Sequence, residues 1–260
     1  EKEIIYTCYS VNIEKRIKKN LKGNFTNKEI SYLILCLKKI NNLSFQQKDI
    51  DLKKIKMLIN QQNKIENSNL YFFDKIYWHV ENCKKDGTLP FAGLARCGFI
   101  AIEILESLER ARIFQTNDKN NFLNSIKTIS SEITNDFIRL NKSKFLSKYG
   151  HLRPNSYEIT SPNYNQGFKK YFKSNRKDFI KKKKFQFSKD QRIKIKRFIK
   201  NFNPKISFEE FIDFIKGSIQ LREYSKFIFM RSIDLIFKNL KLFAKKYKIN
   251  LSNLSYLKIN

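Results

Sequence analysis

The residues best suited to chemistry lie in one short irregular stretch, which reads YGHLRP from Tyr149 to Pro154 and continues through Tyr157. His151 and Arg153 are two residues apart, so both side chains could converge on one anionic group. A guanidinium binds phosphate or carboxylate through two parallel hydrogen bonds, and an imidazole exchanges protons near neutral pH. These residues alone leave open whether the stretch is a ligand site or a loop whose polar groups are satisfied internally.

Other sites for chemistry are missing from the sequence. There is no glycine-rich phosphate loop, no nucleophile elbow and no HExxH motif, which argues against a self-contained nucleotide-binding fold, hydrolase or metalloenzyme. The four cysteines form no CxxC pair, so we expect no zinc site and no disulfide framework, but buried thiols in a reducing compartment. We therefore expect no cofactor or metal site in this segment. The cysteines are Cys8, Cys36, Cys83 and Cys97.

The net charge of +29 comes from 53 Lys and Arg against 24 Asp and Glu. A basic surface attracts nucleic acid, anionic membranes or phosphorylated ligands. The excess is almost all Lys, however, together with much Asn, Ile and Phe, which favours an AT-rich coding bias as its origin. The densest part is 168–200, with 15 Lys and Arg, 2 Asp and interleaved aromatics.

Helical periodicity and a shortage of Gly and Pro predict an all-α, multi-helix fold with one long irregular loop around 150–167. We expect helices over 27–40, from Ser44, over 69–85 with a stop at Gly87, over 119–140, and from Ser143 to Tyr149. Further helices are expected from Ser188 and over 208–247, the last with a break near Gly217. Two domains are expected, N-terminal helices over 1–86 and a larger domain over 87–260, together forming one structural unit cut from a longer chain.

The segment 88–108 is the least polar part of the chain and is rich in small residues, which predicts a central helix that neighbouring backbones approach closely. Arg96 is the single charge in its first half. A charge on a buried helix needs a carboxylate partner or a cavity that holds an anion, and the sequence leaves both open. No signal peptide and no apolar run of about 18 residues is recognised, so we expect a cytoplasmic protein without membrane contact.

Two motifs carry a resemblance to a known family. FLSKYGHLRPNSYEITSPNY at 145–164 resembles the signature FLxKYGHLRPGTYDIxSPRY, and GTLPFAGLARCGFIA at 87–101 resembles its upstream companion. Both occur in large proteins related to phosphoenolpyruvate synthase and pyruvate phosphate dikinase, a superfamily that includes the rifampicin phosphotransferases. The stretch QLREYSKFIFMRSIDLIF at 220–237 is similar as well, so the resemblance covers roughly 75–257.

The resemblance implies a kinase-type transferase. In such enzymes an ATP-grasp domain, which uses ATP and Mg²⁺, phosphorylates a histidine on a swivelling domain that delivers the phosphoryl group to an acceptor. Neither domain lies in these residues, so this segment would be the small-molecule acceptor domain and would be inactive alone. By that analogy His151 is catalytic, and Arg96, Tyr149, Arg153 and Tyr157 bind the substrate.

The chain departs from the family pattern in two places, and two other functions stay open. Asn155 and Ser156 stand where Gly-Thr is usual, and Asn163 stands where Arg is usual, which removes a cation. The first alternative is a basic helical nucleic-acid-binding module over 168–200, with aromatics for base stacking, although nucleic acid is not our expected partner. The second is a non-catalytic connector between catalytic domains.

Overall fold

The computed structural model describes residues 6–172 and 184–256, and within these ranges the chain is all-α, with no β-strand. The predicted fold class is confirmed. The helices are α1 (Ile13–Leu21), α2 (Asn27–Glu66), α3 (Phe72–Cys83), α4 (Leu89–Arg110), α5 (Thr116–Ser125), α6 (Ile129–Arg139), α7 (Lys142–Tyr149), α8 (Tyr164–Tyr171), α9 (Lys189–Phe202), α10 (Phe208–Lys246) and α11 (Leu251–Leu254), and a π-helical turn (Lys84–Thr88) joins α3 to α4.

The chain divides into two compact units, each made of three sequence segments. The first unit comprises 1–51, 93–127 and 182–222, and the second comprises 52–92, 128–181 and 223–260. The predicted domain boundary at 86/87 does not coincide with this division, because 52–92 belong together. Sequence order could not indicate such a division, since each unit draws on distant segments.

The first unit has an aliphatic and aromatic core. Its stacked rings include Phe45 and Phe214, whose centroids are 3.7 Å apart. Gly98 of α4 lies against α10, where an added Cβ would meet the Ser218 carbonyl oxygen at 3.5 Å. This agrees with the expectation that small residues of the central helix admit a close neighbour. Fully buried members of this core include Ile17, Ile104, Phe122, Phe211 and Ile215.

The second unit holds its own buried contacts. Gln62 of α2 donates from Nε2 to the Ser232 hydroxyl at 2.7 Å and to the Ile228 carbonyl oxygen at 3.1 Å on α10. An aromatic cluster of α6, α7 and α8 is formed by Phe137, Phe145, Phe168 and Phe172, with neighbouring ring centroids 4.9 to 6.2 Å apart. Through Phe145, this cluster includes α7, the helix that leads into the YGHLRP stretch.

Ser44 does not begin a helix, which corrects the predicted break after residue 40. The helix α2 runs without interruption from Asn27 to Glu66. The Ser44 hydroxyl donates to the Ile40 carbonyl oxygen at 2.9 Å, and the Gln47 side chain donates to Asp51 at 2.9 Å. A Ser four residues after a helical carbonyl can bond back to it without ending the helix, so the capping-box pattern was a wrong indication here.

Gly87 does not cap a helix either. It lies in the π-helical turn, where the Leu89 amide donates to the Lys84 carbonyl oxygen five residues back. Pro90 follows at once, and a wider turn relieves the clash between a proline ring and the preceding helical carbonyl. A Cβ on Gly87 would lie 3.1 Å from both Leu58 Cδ2 and Phe229 Cβ. The glycine therefore serves close packing instead of a left-handed cap.

The structure confirms some of the other predicted helix boundaries and corrects the rest. The helix expected over 119–140 is divided into α5 and α6 at Ile126, with Thr128 capping α6. The capping boxes at Ser188 and Ser207 are confirmed by hydrogen bonds to Gln191 and Glu210. The break expected near Gly217 is absent from the described helix α10, which continues to Lys246.

One helical run, Phe72–Arg110, is long and apolar enough to cross a membrane by length and composition, with a mean hydropathy of 1.5 over 18 residues. This corrects the expectation of no sufficiently long apolar run. Of that window, 44% is buried inside the structure, and the core helix of a soluble protein passes the same test. A single such helix is weak evidence for a membrane span.

Candidate functional site

The YGHLRP stretch belongs to the second unit and joins α7 to α8. Its two ends are tied together, because the Tyr164 amide donates to the Leu152 carbonyl oxygen at 2.8 Å and the Asn165 amide to that of Gly150 at 3.2 Å. The Tyr171 hydroxyl also donates to the Pro162 carbonyl oxygen at 2.9 Å. The expected irregular loop is therefore ordered, but it is shorter than 150–167 since α8 begins at Tyr164.

Arg153 anchors this loop from the inside. Its side chain is only 2% exposed, and Nη2 forms an ion pair with Asp234 Oδ1 of α10. Nη1 donates to the Ser161 carbonyl oxygen at 3.3 Å, and the guanidinium lies 4.9 Å from the centre of the Phe237 ring. A buried guanidinium requires such partners. The predicted anion clamp thus faces a carboxylate of the chain itself.

Asn163 supports the same carboxylate. Its Nδ2 donates to Asp234 Oδ1 at 3.0 Å, while its Oδ1 accepts from the Gln166 amide at 3.0 Å and caps α8. The position where the family pattern has Arg is therefore occupied by a neutral partner of Asp234. Arg153 and Asn163 together hold Asp234 from two points of the loop.

His151 has a defined tautomer. Its Nε2 is 3.0 Å from the Phe227 carbonyl oxygen, which can only accept, so Nε2 carries the proton and Nδ1 carries the lone pair. The imidazole packs on the Phe227 ring, 4.7 Å between centres. Burial lowers the pKa of His151, with Arg231 and Arg153 acting in the same direction, and the Phe227 carbonyl and Asp234 oppose the change. The lowered pKa favours the neutral form of the His151 imidazole near pH 7.

Positive charges outnumber negative charges around His151 even after Arg153 is paired with Asp234. Arg231 of α10 adds a second cation that acts on His151, against the single carboxylate Asp234. Lys241 is half-buried on α10, two helical turns after Asp234, and burial followed by the charge of Arg153 lowers its pKa while Asp234 raises it. Residues 227, 231, 234 and 241 recur at helical spacings that share one face.

These α10 residues were missed by the sequence reasoning. Asp234 is the sole Asp or Glu within 224–260, in a stretch rich in Lys. A lone carboxylate in a basic, apolar helix was the available signal for a buried ion pair. What the sequence could not indicate was its partner, 81 residues away.

Tyr149 is fully buried, and its hydroxyl forms a hydrogen bond inside the protein. Its hydroxyl donates to Asp136 Oδ2 at 2.7 Å, and Lys148 Nζ contacts the same carboxylate at 2.9 Å. Burial raises the pKa of Tyr149 to about 12, an effect that Lys148 opposes and Asp136 reinforces. The phenol therefore faces Asp136 and not the open side expected for a substrate-binding hydroxyl.

Tyr157 and Arg96 are both accessible but belong to different units. Tyr157, in the loop of the second unit, is 67% exposed. Arg96 belongs to the first unit, and its side chain is exposed on α4. Exposure removes the reason for expecting a buried partner or an anion-filled cavity at Arg96.

The aromatics of the basic segment are largely used for packing. Phe168 and Phe172 lie in the α6–α8 cluster of the second unit, and Phe185 and Phe187 contact Phe122 in the first, with centroids 5.5 and 5.8 Å away. Rings in such contacts are partly buried, which leaves less of their faces for stacking on bases. Phe179 lies outside the described residues, as does most of the Lys181–Lys184 run.

Among the described residues, no group of three His, Cys, Asp or Glu side chains is close enough to hold a metal ion. No protein-family model, no curated protein and no solved structure matches the chain. The geometry of the second unit and the motifs of the sequence are thus the observations on which function is inferred.

Proposed function

We propose that this chain is the central acceptor domain of an ATP-dependent, dikinase-like phosphotransferase that works in the cytoplasm. In this scheme an ATP-grasp domain and a swivelling phosphohistidine domain, both outside these residues, supply the phosphoryl group to a small-molecule acceptor. ATP and Mg²⁺ would bind the ATP-grasp domain. The motif resemblance at 87–101 and 145–164 is the reason for choosing this family.

The observation that carries the proposal is the state of His151. A neutral imidazole with the proton on Nε2 offers Nδ1 as a proton acceptor, which is the form a general base needs. We assign His151 the role of accepting a proton from the hydroxyl or enol of the acceptor as the phosphoryl group is transferred. The positive excess from Arg231 and Lys241 would attract an anionic acceptor or the phosphoryl group.

The other loop residues take different roles from those first expected. Arg153 becomes a positioning residue, because its guanidinium is held by Asp234 and the Ser161 carbonyl. Tyr149 supports the loop from the buried side, and Tyr157 is the accessible hydroxyl for the acceptor. Arg96 has no role in this scheme.

The test is His151→Gln in the full-length protein that contains this chain. A glutamine amide can keep the bond to the Phe227 carbonyl oxygen but has no titratable nitrogen. Phosphorylation of the swivelling histidine from ATP should be unchanged, while transfer to the acceptor slows by roughly 10² to 10⁴-fold, as expected for loss of an acid/base group. An unchanged transfer rate would overturn the role of His151 and favour the connector. Parallel loss of both half-reactions with the melting temperature would make the residue structural.

A further inference from the structure

The first unit contains a cleft that has no part in the proposed phosphoryl transfer. Its volume is about 580 Å³, and it lies between the start of α1, the first half of α2, the link after α4 and the helix α9. All of its lining residues belong to the first unit. This volume is within the range of small-molecule sites.

Positive charge dominates the lining of this cleft. Four cations face it, against the single carboxylate Glu14. Glu14 is itself neutralised, because Lys38 Nζ lies 3.2 Å from its Oε1 and the Tyr9 hydroxyl donates to it at 2.8 Å. The four cations are Lys15, Lys38, Lys194 and Arg197.

Two of these cations are free to bind a ligand. Lys15 and Arg197 are exposed and have no ion-pair partner within the described part of the chain. Lys194 pairs with the exposed Asp190 at 2.7 Å, an i,i+4 surface pair of small energetic value. A guanidinium and an ammonium without counter-ions in one concave site favour an anionic occupant.

The start of α1 adds to this field. Asn12 precedes the helix in a left-handed conformation, with φ of 61°, and makes no side-chain capping bond. The residues of the first turn line the cleft, so the positive end of the helix dipole points toward it. On the other side the stacked rings of Tyr9 and Phe198, 5.8 Å apart, form an apolar wall.

We propose that this cleft binds a small phosphate-bearing molecule. Arg197 would bind the phosphate through two parallel hydrogen bonds, Lys15 and Lys194 would neutralise the remaining charge, and the wall of Tyr9 and Phe198 would contact the body of the ligand. The proposal does not depend on the YGHLRP loop, since none of its residues lines the cleft. Its size fits a small molecule and not a duplex, which distinguishes it from nonspecific binding of nucleic acid.

The test measures binding of inorganic pyrophosphate to the full chain by calorimetry at fixed low ionic strength. The variant Lys15→Gln/Arg197→Gln should weaken binding about tenfold or more, because it removes two charge-assisted contacts. The matched control is Lys19→Gln/Lys200→Gln, which removes two charges from the same two helices outside the cleft. Since all four side chains are exposed, helicity and melting temperature should stay unchanged in both variants.

The control should bind pyrophosphate within about twofold of the unaltered chain, because neither of its altered side chains lines the cleft. Arg197→Lys, which keeps the charge but loses the planar geometry, should still weaken binding several-fold. Equal weakening by the two double variants would show general electrostatics and overturn the site. The absence of pyrophosphate binding, or tighter binding of a duplex oligonucleotide than of pyrophosphate, would overturn it as well.

Discussion

The Arg153 guanidinium forms a buried ion pair with Asp234, a residue 81 positions later on α10. Asn163 donates to the same Oδ1 atom, so two points of the loop converge on one carboxylate. His151 precedes Arg153 by two residues and bonds to the Phe227 carbonyl, two helical turns before Asp234. One face of α10 therefore holds the loop and orients the imidazole.

Removing one partner of this pair should be costly. Arg153→Met leaves Asp234 without its cation, and we expect a loss of about 3–5 kcal/mol in the free energy of unfolding. Arg153→Met/Asp234→Leu should lose less, because two apolar groups replace the pair. Urea unfolding followed by the fluorescence of Trp78, the lone tryptophan, reports on the second unit. Lys226→Met, an exposed change on the same helix, should stay within about 0.5 kcal/mol. A double variant no better than the single one would contradict the pairing.

The free energy of unfolding should decrease as the pH is lowered, because the two histidines have lowered pKa values in the folded chain. Burial is the largest cause that lowers the pKa of both His79 and His151, although Glu66 opposes it at His79. Below pH ~6.5, the usual pKa of histidine in an unfolded chain, the unfolded chain binds protons that the folded chain does not bind. The free energy of unfolding is therefore largest above pH 7. It declines below about pH 6.5, by at most ~1.4 kcal/mol per pH unit for each histidine. The decline ends once the folded imidazoles are protonated.

His151→Gln isolates one of these contributions. Urea titrations of Trp78 fluorescence at pH 8 and pH 5.5 should show a smaller difference for the variant than for the unaltered chain. The ¹⁵N spectrum of the unaltered chain at pH 7 should also show His151 neutral with the proton on Nε2. A charged imidazole at that pH would contradict both the burial and the proposed base.

Two glycine-to-alanine changes should have opposite signs. Gly87→Ala places a methyl group 3.1 Å from Leu58 and Phe229, so we expect a destabilisation of about 1–3 kcal/mol. Gly217→Ala, inside α10, meets nothing closer than Lys48 Nζ at 3.7 Å and should stabilise by about 0.4–1 kcal/mol. Urea unfolding followed by far-ultraviolet circular dichroism compares the two. Destabilisation by Gly217→Ala would support the helix break that the sequence suggested there.

Thiol reactivity should separate Cys36 from the other cysteines. Burial raises the pKa of Cys8 to about 12 and that of Cys83 and Cys97 to about 11, whereas Cys36 is half-buried. Since the thiolate is the reactive form, a disulfide reagent at pH 8 should label one thiol quickly in the native chain. The other three should react only in denaturant. Cys36→Ser should abolish the fast phase, and a second fast thiol would show that one of the buried sites opens.

The sequence determined the helical class and many helix ends. Periodic apolar residues and few turn residues predict helices, and the capping boxes at Ser188 and Ser207 predicted two starts correctly because capping is a local interaction. The pattern at Ser44 was wrong, since a back-bond within one helix and a capping bond use the same residue type. Local patterns were reliable where neighbours in sequence supplied the bonds.

Only the tertiary structure decided what the YGHLRP residues do. The sequence predicts Arg153 as an anion clamp, but in the structure its charge is paired with Asp234. It predicts Tyr149 as a hydroxyl donor to the substrate, but that hydroxyl donates to Asp136. Which carboxylate meets which cation depends on packing across 81 residues of chain, and no local pattern records it. The division into two units from interleaved segments has the same origin. Buried charges must find partners, and the fold alone determines which partners are within reach.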